Sequence, residues 1–342
     1  MNKDKLYCGI DLHKNFSMVC VMRQDGILVD QKKLQNTGEE LKSYFTKRES
    51  MECVLEPVDN WGWLSDYLME RGHNVHLANV YKVRLIAESR MKTDQVDAKV
   101  LADLLRTGYL PEAYVAPKEL RDTRTYLRYR ITLTRERARL KNQIKKLLRV
   151  ENIKDPFKDT FGKKGSEWLR NLKLRSIHNR IKEERMSAIE YYSALISKID
   201  SELKENSKTD ENIKLLMTVP GIGKIGAHLI MAEAGDIKRF KYPAKFAGYT
   251  GLVSSLRSSA DKFYRGHITK QGSAYLRWIL VEAAQKAKTA DYNLNRFFNR
   301  IAFRRGKSIA TVALARKLAE ICWHILVDHV PYNTNKVCSR FG

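Results

Sequence analysis

Four short β-prone runs crowd into the first 56 residues of the chain: LYCGIDL (6–12), SMVCVM (17–22), ILVDQKKL (27–34) and ECVLE (52–56), parted by turn residues such as Gln24-Asp25-Gly26. Runs this short gain stability only by pairing, so they predict a sheet at the start of the chain. A helical stretch from about Trp61 to Arg71 follows, and Gly72 stops it. NVHLANV (74–80) returns to strand, and the pattern from Tyr81 to Arg106 is helical again. Three strands, a fourth, a helix and a fifth strand form the order expected of an α/β domain of the RNase H-like kind, in which strands one and four are neighbours.

From Arg121 onward the pattern changes. Eleven Lys and Arg stand against two acids, Asp122 and Glu136, up to Arg149, with Tyr126, Leu133, Leu140 and Leu147 at seven-residue intervals. They predict one long basic helix. A later helix carries Ile189, Tyr192, Ile196, Ile199 and Leu203 at alternating spacings of three and four, a coiled-coil seam for another helix. Packing within the chain and dimerisation satisfy that seam equally. FGKKGSEW (161–168) and KENSKTDEN (204–212) are the expected breaks. In LLMTVPGIGKIGAHLIMAEAG (215–235) one helix runs into Pro220-Gly221-Ile222-Gly223 and a second leaves, the pattern of a helix-hairpin-helix. Its glycines let backbone N–H groups approach a phosphate, with Gly221, Gly223 and Lys224 as the expected contacts.

The chain is therefore expected to be α/β plus α, in three parts. Residues 1–118 form the α/β domain, 119–207 a basic helical and coiled-coil region, and 208–342 a mainly helical domain. Its 63 Lys and Arg against 39 Asp and Glu leave a net charge of +24, which calls for a polyanionic partner, and nucleic acid is the obvious one. Arg128, Arg135, Arg139 and Lys145 of the basic helix are candidate phosphate contacts. The five cysteines, Cys8, Cys20, Cys53, Cys322 and Cys338, lack the close spacing of a zinc or redox site and suit a reducing cytoplasm. No signal-peptide core or membrane span is expected; the most apolar stretch, 308–328, is interrupted by Arg316, Lys317 and Glu320.

Four acids stand out in the first domain. Asp11 lies in the first strand and Glu56 ends the fourth, so adjacency of those strands makes the two neighbours. In KTDQVDAKVLADLL (92–105), Thr93 can cap a helix whose first turn holds Asp94 and Asp97, three apart and facing the sheet. Converging carboxylates repel one another, by about 4 kcal/mol for two charges ~4 Å apart at an effective dielectric near 20, and so require cations. Hard divalent ions take carboxylate oxygens, and a pair of them can stabilise both the attacking and the leaving oxygen of a phosphodiester. Mg²⁺ is the expected ion, with Mn²⁺ an alternative. Asp59, Glu88 and Asp103 compete for the role, and Asp103 is placed outside the site.

These residues resemble the transposases of the IS110 group, with its IS1111 branch, and the related Piv-type DNA invertases. That resemblance spans nearly the whole chain. In the family an N-terminal RuvC-like domain bears a D-E-D-D set, which falls on Asp11 in GIDLHK, Glu56 in LEP, and Asp94 and Asp97 in KTDQVDA. A second stretch, KFAGYTGLVSSLRSSADKFYRGHITKQGSAYLRWILVEAA (245–284), is similar to the family's segment of a Gly-Leu-x-Pro turn, a nucleophilic Ser followed by Gly, then I-T-K-x-G and L-R. Counting from Gly251-Leu252 puts that nucleophile on Ser259, with Ser258 one register away. Ser254 stands where the family has Pro, and Ala260 where it has Gly. Arg257, Lys262, Arg265, Lys270 and Arg277 surround this loop and are candidates to hold the scissile phosphate, with Gly266 and Gly272 permitting close backbone approach.

What the resemblance implies is a DNA transposase or recombinase in which a Mg²⁺-loaded RuvC-like site assists attack by Ser259 on DNA, through a covalent phosphoserine and a Holliday junction. It further implies homo-oligomeric synapsis as a dimer or tetramer, with ions and serine from different subunits, and guidance by an RNA. The rival expectation is a metal-dependent nuclease or Holliday-junction resolvase that uses activated water.

Overall fold

The computed structural model describes residues 5–86, 93–259 and 262–334, and its contacts divide the chain into two compact units, 1–119 and 120–342. Within the first unit the elements follow as β1 (Leu6–Leu12), β2 (Phe16–Arg23), β3 (Leu28–Gln35), α1 (Gly38–Phe45), β4 (Glu52–Leu55), α2 (Trp61–Met69), β5 (Asn74–Ala78), α3 (Val80–Ile86), α4 (Asp94–Arg106) and β6 (Glu112–Ala113). They form one mixed sheet in the order β3-β2-β1-β4-β5-β6. The first three strands are antiparallel, while β4 runs parallel to both β1 and β5.

Alternation along β1 explains the layers. Cys8, Ile10 and Leu12 point to one face, where they pack with Leu41 and Phe45 of α1 and Leu64 and Leu68 of α2. The opposite face is covered by α4, whose Ala98 and Ala102 meet Met18, Cys20 and Met22 of β2, and whose Leu101 packs with Val54 and Ala78. Helix α1 has no counterpart in the strand-and-helix order expected above. Thr37 caps it, accepting from the Glu40 N–H at 3.4 Å, with an acid three residues on.

The second unit is mostly helical: α5 (Lys118–Val150), α6 (Lys163–Asn171), α7 (Ser176–Thr209), α8 (Glu211–Met217), α9 (Lys224–Ala234), α10 (Pro243–Tyr249), α11 (Ala274–Ala290), α12 (Tyr292–Arg305) and α13 (Lys307–Asp328), with a hairpin of β7 (Ser254–Ser259) and β8 (Lys262–Ile268). The seam of α7 is filled inside the chain. Ile196, Ile199 and Leu203 pack against Leu127, Ile131 and Leu133 of α5 and Leu229 of α9, and Ile189 packs with Ile144 and Leu148. On α5 the buried positions are Leu127, Ile131, Leu133, Ile144 and Leu148, of which Leu133 belongs to the expected seven-residue series, while Tyr126 and Leu140 are partly buried beside them. A second core joins α8 through α13.

Both expected breaks move. Residues 163–168 are the first turns of α6, and Gly165 is a packing position: a Cβ there would lie 2.4 Å from the Thr160 carbonyl oxygen. The 204–212 break narrows to Asp210, whose carboxylate caps α8 by accepting from Asn212 and Ile213 N–H at 2.9 and 3.2 Å. Residues 254–259 and 262–268, expected as a loop, are paired strands. Glu88, Ala260 and Cys338 lie outside the described residues. Cys8, Cys20, Cys53 and Cys322 are buried free thiols, and among the described residues no helix is long and apolar enough to cross a membrane.

At the N-terminal end of β4, Glu52 is held by Lys5 (2.9 Å), His76 (2.8 Å) and Asn74 (3.1 Å). Burial opposes its charge, but these three donors outweigh that and pull its carboxyl down to about 2. A carboxyl depressed on folding stabilises the fold above its unfolded value near 4.3, and that contribution disappears as pH falls through about 2. Glu52→Gln should therefore lower the unfolding temperature at pH 7, and its difference from the parent should shrink steadily between pH 4.5 and pH 2 in a calorimetric series. A difference independent of pH would contradict the assignment.

Candidate functional site

The site is built by one close contact. Gly9, Asp11 and His13 lie at alternate positions from β1 onward, on the side facing α4. A Cβ on Gly9 would lie 1.9 Å from the Ala98 carbonyl oxygen and 2.6 Å from the Ala102 nitrogen, so only glycine lets α4 come down onto β1 at this point. Asp94 precedes Ala98 by one helical turn and stands over Asp11 in consequence. The start of α4 is set by Thr93, which is extended and accepts from the Val96 N–H at 3.3 Å. Asp94 and Asp97 thus occupy a first turn, where the helix dipole favours acids.

His13 Nε2 lies 3.1 Å from Asp11 Oδ2 and 3.3 Å from Asp94 Oδ2. These are the ligand-bearing atoms that lie mutually within 4.8 Å, in half-buried surroundings. Burial pushes the Asp11 carboxyl above its ordinary range; His13 opposes that, while Asp94 and Asp97 add to it. Glu56 follows Leu55, whose partner in the parallel β1–β4 ladder is Ile10, so Asp11 and Glu56 are each one residue beyond the last pair. Glu56 and Asp97 border the trio without sharing its mutually close set of atoms. Of the competing acids, Asp103 is engaged by the Arg106 guanidinium, with Nε at 3.0 Å. Oxygen donors with one imidazole nitrogen fit a divalent ion.

Sequence reasoning did not select His13, although its place two residues after Asp11 on the same face was available as a signal. Its position is closely determined. The backbone N–H of His13 donates to the Phe16 carbonyl (2.9 Å), and its carbonyl accepts from the Asn36 and Asn60 side chains at 2.8 and 3.3 Å. The ring stacks on Phe16 with centroids 4.5 Å apart.

In the second unit, Ser259 ends β7 opposite Lys262, while Ser258 pairs with Phe263, Arg257 with Tyr264, and Leu256 with Arg265. The base of the hairpin is clasped by Arg277, whose Nη1 donates to the Thr250 and Lys270 carbonyls at 3.1 and 3.2 Å. Gly272 (φ +90°) sits where a Cβ would lie 2.0 Å from the Tyr249 carbonyl oxygen, and Gly266 where it would lie 2.4 Å from Ser255 Oγ. These two glycines and Arg277 serve internal packing, and Lys270 is exposed.

Other expected phosphate contacts divide in the same way. Gly221 (φ +88°) presses on α11, with 2.3 Å from a would-be Cβ to the Ala283 carbonyl oxygen, whereas Gly223, beside Lys224 at the head of α9, has nothing within 4 Å. Arg128 is bidentate to the buried Glu233, with Nε at 2.8 Å and Nη2 at 3.0 Å. Arg135 lies over the Tyr275 and Trp278 rings, Lys145 lies 6.0 Å from the Phe161 centroid, and Arg139 is exposed beside Glu136. One basic face was missed by the sequence reading: Arg296, Arg300, Arg304 and Arg305 of α12 are exposed together with Tyr292 and Phe303, and no acid lies between Tyr292 and Arg305.

Residues 8–152 match a transposase family of the DEDD IS110 type, and residues 213–299 match the family described as "Transposase IS116/IS110/IS902 family". The chain belongs to the IS110 family of transposases. Among curated relatives of this IS110-family chain, the transposase for insertion sequence element IS1328 of Yersinia enterocolitica is 27% identical, across 92% of this chain and 95% of the relative. The transposase for insertion sequence element IS1111A of Coxiella burnetii is 24% identical, across 96% and 92%. A pilin gene-inverting protein of Moraxella bovis is 22% identical, across 96% and 98%. The first match contains Asp11, Glu56, Asp94 and Asp97, and the second contains Ser259.

If Gly9 sets the approach of α4, Gly9→Ala should destabilise this IS110-family fold by about 1–3 kcal/mol or more, as overpacking against backbone does. Gly38→Ala, where nothing lies within 4 Å of the new Cβ, should be neutral or slightly stabilising in the same urea titration. Equal effects of the two would overturn this account of the β1–α4 contact.

Proposed function

We propose that this chain is a DNA recombinase of an insertion element, in which a RuvC-like, RNase H-fold domain (1–118) carries a divalent-metal site of Asp11, Glu56, Asp94 and Asp97, and Ser259 is the nucleophile. The observation that carries the reading is the meeting of Asp11 and Asp94 at His13, with Glu56 beside Asp11 in register and Asp97 one turn into α4. Carboxylates gathered at the end of a β1–β4 pair, with one of them raised by burial, form a centre held ready for cations.

Bound Mg²⁺ or Mn²⁺ would supply charge stabilisation at the phosphoryl oxygens. The protein's own groups supply the rest. The Ser259 hydroxyl attacks phosphorus, the phosphorus–oxygen bond to the sugar breaks, and the serine proton ends on the released sugar hydroxyl. A phosphoserine diester remains. Attack by the hydroxyl of another strand reverses the step and regenerates the serine, so strands are exchanged without ATP. Arg257, two residues before Ser259, and Lys262, its partner in the β7–β8 register, have the charge that suits a phosphodiester, and the count from Gly251-Leu252 favours Ser259 over Ser258.

Around this chemistry we read residues 119–207 as a basic helical, coiled-coil part and 208–342 as the transposase domain, with a helix-hairpin-helix at Gly223 and Lys224. The +24 charge and the bare face of α12 suit DNA ends and target, and a guide RNA. Synapsis by a dimer or tetramer in the cytoplasm completes the reading.

Trapping the reaction on labelled DNA tests it. Parent protein should give a covalent protein–DNA adduct, Ser259→Ala none, and Asp11→Asn should lower strand cleavage by on the order of 10⁴-fold, the scale reached when a residue of a catalytic unit is removed. Nicked DNA made equally well by Ser259→Ala would replace the serine mechanism with hydrolysis by activated water.

A further inference from the structure

We propose that His13 is itself a ligand of the ion held by Asp11 and Asp94, and that its nitrogen makes this centre prefer Mn²⁺ to Mg²⁺. The inference rests on the metal-site reading and deepens it. The first support is spacing. His13 Nε2 stands 3.1 Å from Asp11 Oδ2 and 3.3 Å from Asp94 Oδ2, and all three atoms lie within 4.8 Å of one another. Neighbouring ligands around a six-coordinate ion with bonds of about 2.1–2.2 Å are separated by about 3.0 Å, so both spacings are close to the edges of a coordination octahedron.

The second support is preorganisation. A surface histidine swinging toward two acids would need neither a fixed backbone nor a fixed ring. Here the His13 carbonyl accepts from Asn36 (2.8 Å) and Asn60 (3.3 Å), and the Asn36 amide is itself oriented by the Ser17 hydroxyl at 2.7 Å. The ring lies on Phe16, whose face also receives the Lys33 ammonium at 3.8 Å from its centroid. Neighbours that fix a metal-binding histidine have a recognisable energetic value: their loss costs about 10–100-fold in affinity.

The third support is ligand chemistry. Mg²⁺ takes oxygen and retains water, whereas imidazole suits first-row transition ions, and Mn²⁺ accepts carboxylate and imidazole together. Carboxylates alone suit Mg²⁺, Ca²⁺ and Mn²⁺, so it is the imidazole nitrogen that turns the site toward a transition ion.

The test uses the whole 342-residue chain and the metals alone, without DNA. Isothermal titration should show Mn²⁺ bound at least about tenfold more tightly than Mg²⁺. Pulsed electron paramagnetic resonance of the Mn²⁺ form should show ¹⁴N coupling from a directly bound imidazole. His13→Ala, and His13→Asn as the variant that retains a polar side chain of similar reach, should abolish that coupling and weaken Mn²⁺ by about 10–100-fold while changing Mg²⁺ by less than about threefold. Circular dichroism checks that both variants are folded. Mn²⁺ bound without ¹⁴N coupling, or with affinity unchanged in a folded His13 variant, would overturn the proposal and leave the carboxylate site standing. Failure of the parent protein to bind either ion, with Asp11→Asn no different, would overturn both.

Discussion

The approach of α4 to β1 over Gly9 is the contact on which the first unit's site depends. Helices ordinarily stand off a sheet by the width of the side chains between them, but here the Ala98 carbonyl oxygen occupies space that any other residue at position 9 would fill. Close packing has a directional consequence. Along β1 the alternation that points Gly9 at α4 also points Asp11 and His13 there, and along α4 the turn that places Ala98 on Gly9 places Asp94 one step nearer the helix start. The site is thus a by-product of two periodicities, two residues for the strand and 3.6 for the helix, pinned together at one glycine.

Several acids with structural work have a cation beside them: Glu52 has Lys5, Asp103 has Arg106, Asp200 has Arg130, and Glu233 has Arg128. Glu233 is almost wholly buried, where an unpaired carboxylate would be strongly destabilising. Asp11 and Asp94 instead share one imidazole, that of the partly exposed His13. The same accounting sorts the basic residues. Arg124, Arg128 and Arg130 are engaged inside the second unit, while the exposed arginines of α12 face water with no acid of their own helix beside them.

Much of the first unit was legible. Strands β1 to β5 begin and end within a residue or two of their β-prone runs, β6 was not foreseen, and the Thr93 cap follows from a hydroxyl residue placed before two acids. Helix α1 carried a signal that was passed over, since Thr37 and Glu40 have the spacing of a capping box. In the second unit glycine misled. Gly165, Gly221 and Gly272 read as turn or phosphate residues, yet each sits against a carbonyl oxygen of the same unit. A glycine needed for packing and one needed for a turn are the same letter. The hairpin at 254–268 was obscured because serines and charges weaken its alternation, and pairing between its strands defines them more than either strand's own pattern does.

By itself the sequence determined what local physics decides: which segments pair, where α4 starts, which residue types are able to bind a divalent ion, and that an excess of positive charge requires a polyanion. Tertiary structure alone decided which of those groups meet. The partner of the α7 seam proved to be α5 and α9 of the same chain, a choice no heptad pattern can make, because a seam specifies an apolar stripe and leaves its partner open. His13 joined Asp11 and Asp94 because a ring stack, two asparagine amides and a missing side chain at Gly9 act together at one point. Those are contacts between residues up to 93 apart in the chain, counting Gly9 to Ala102, and spacing within a single segment carries no record of them.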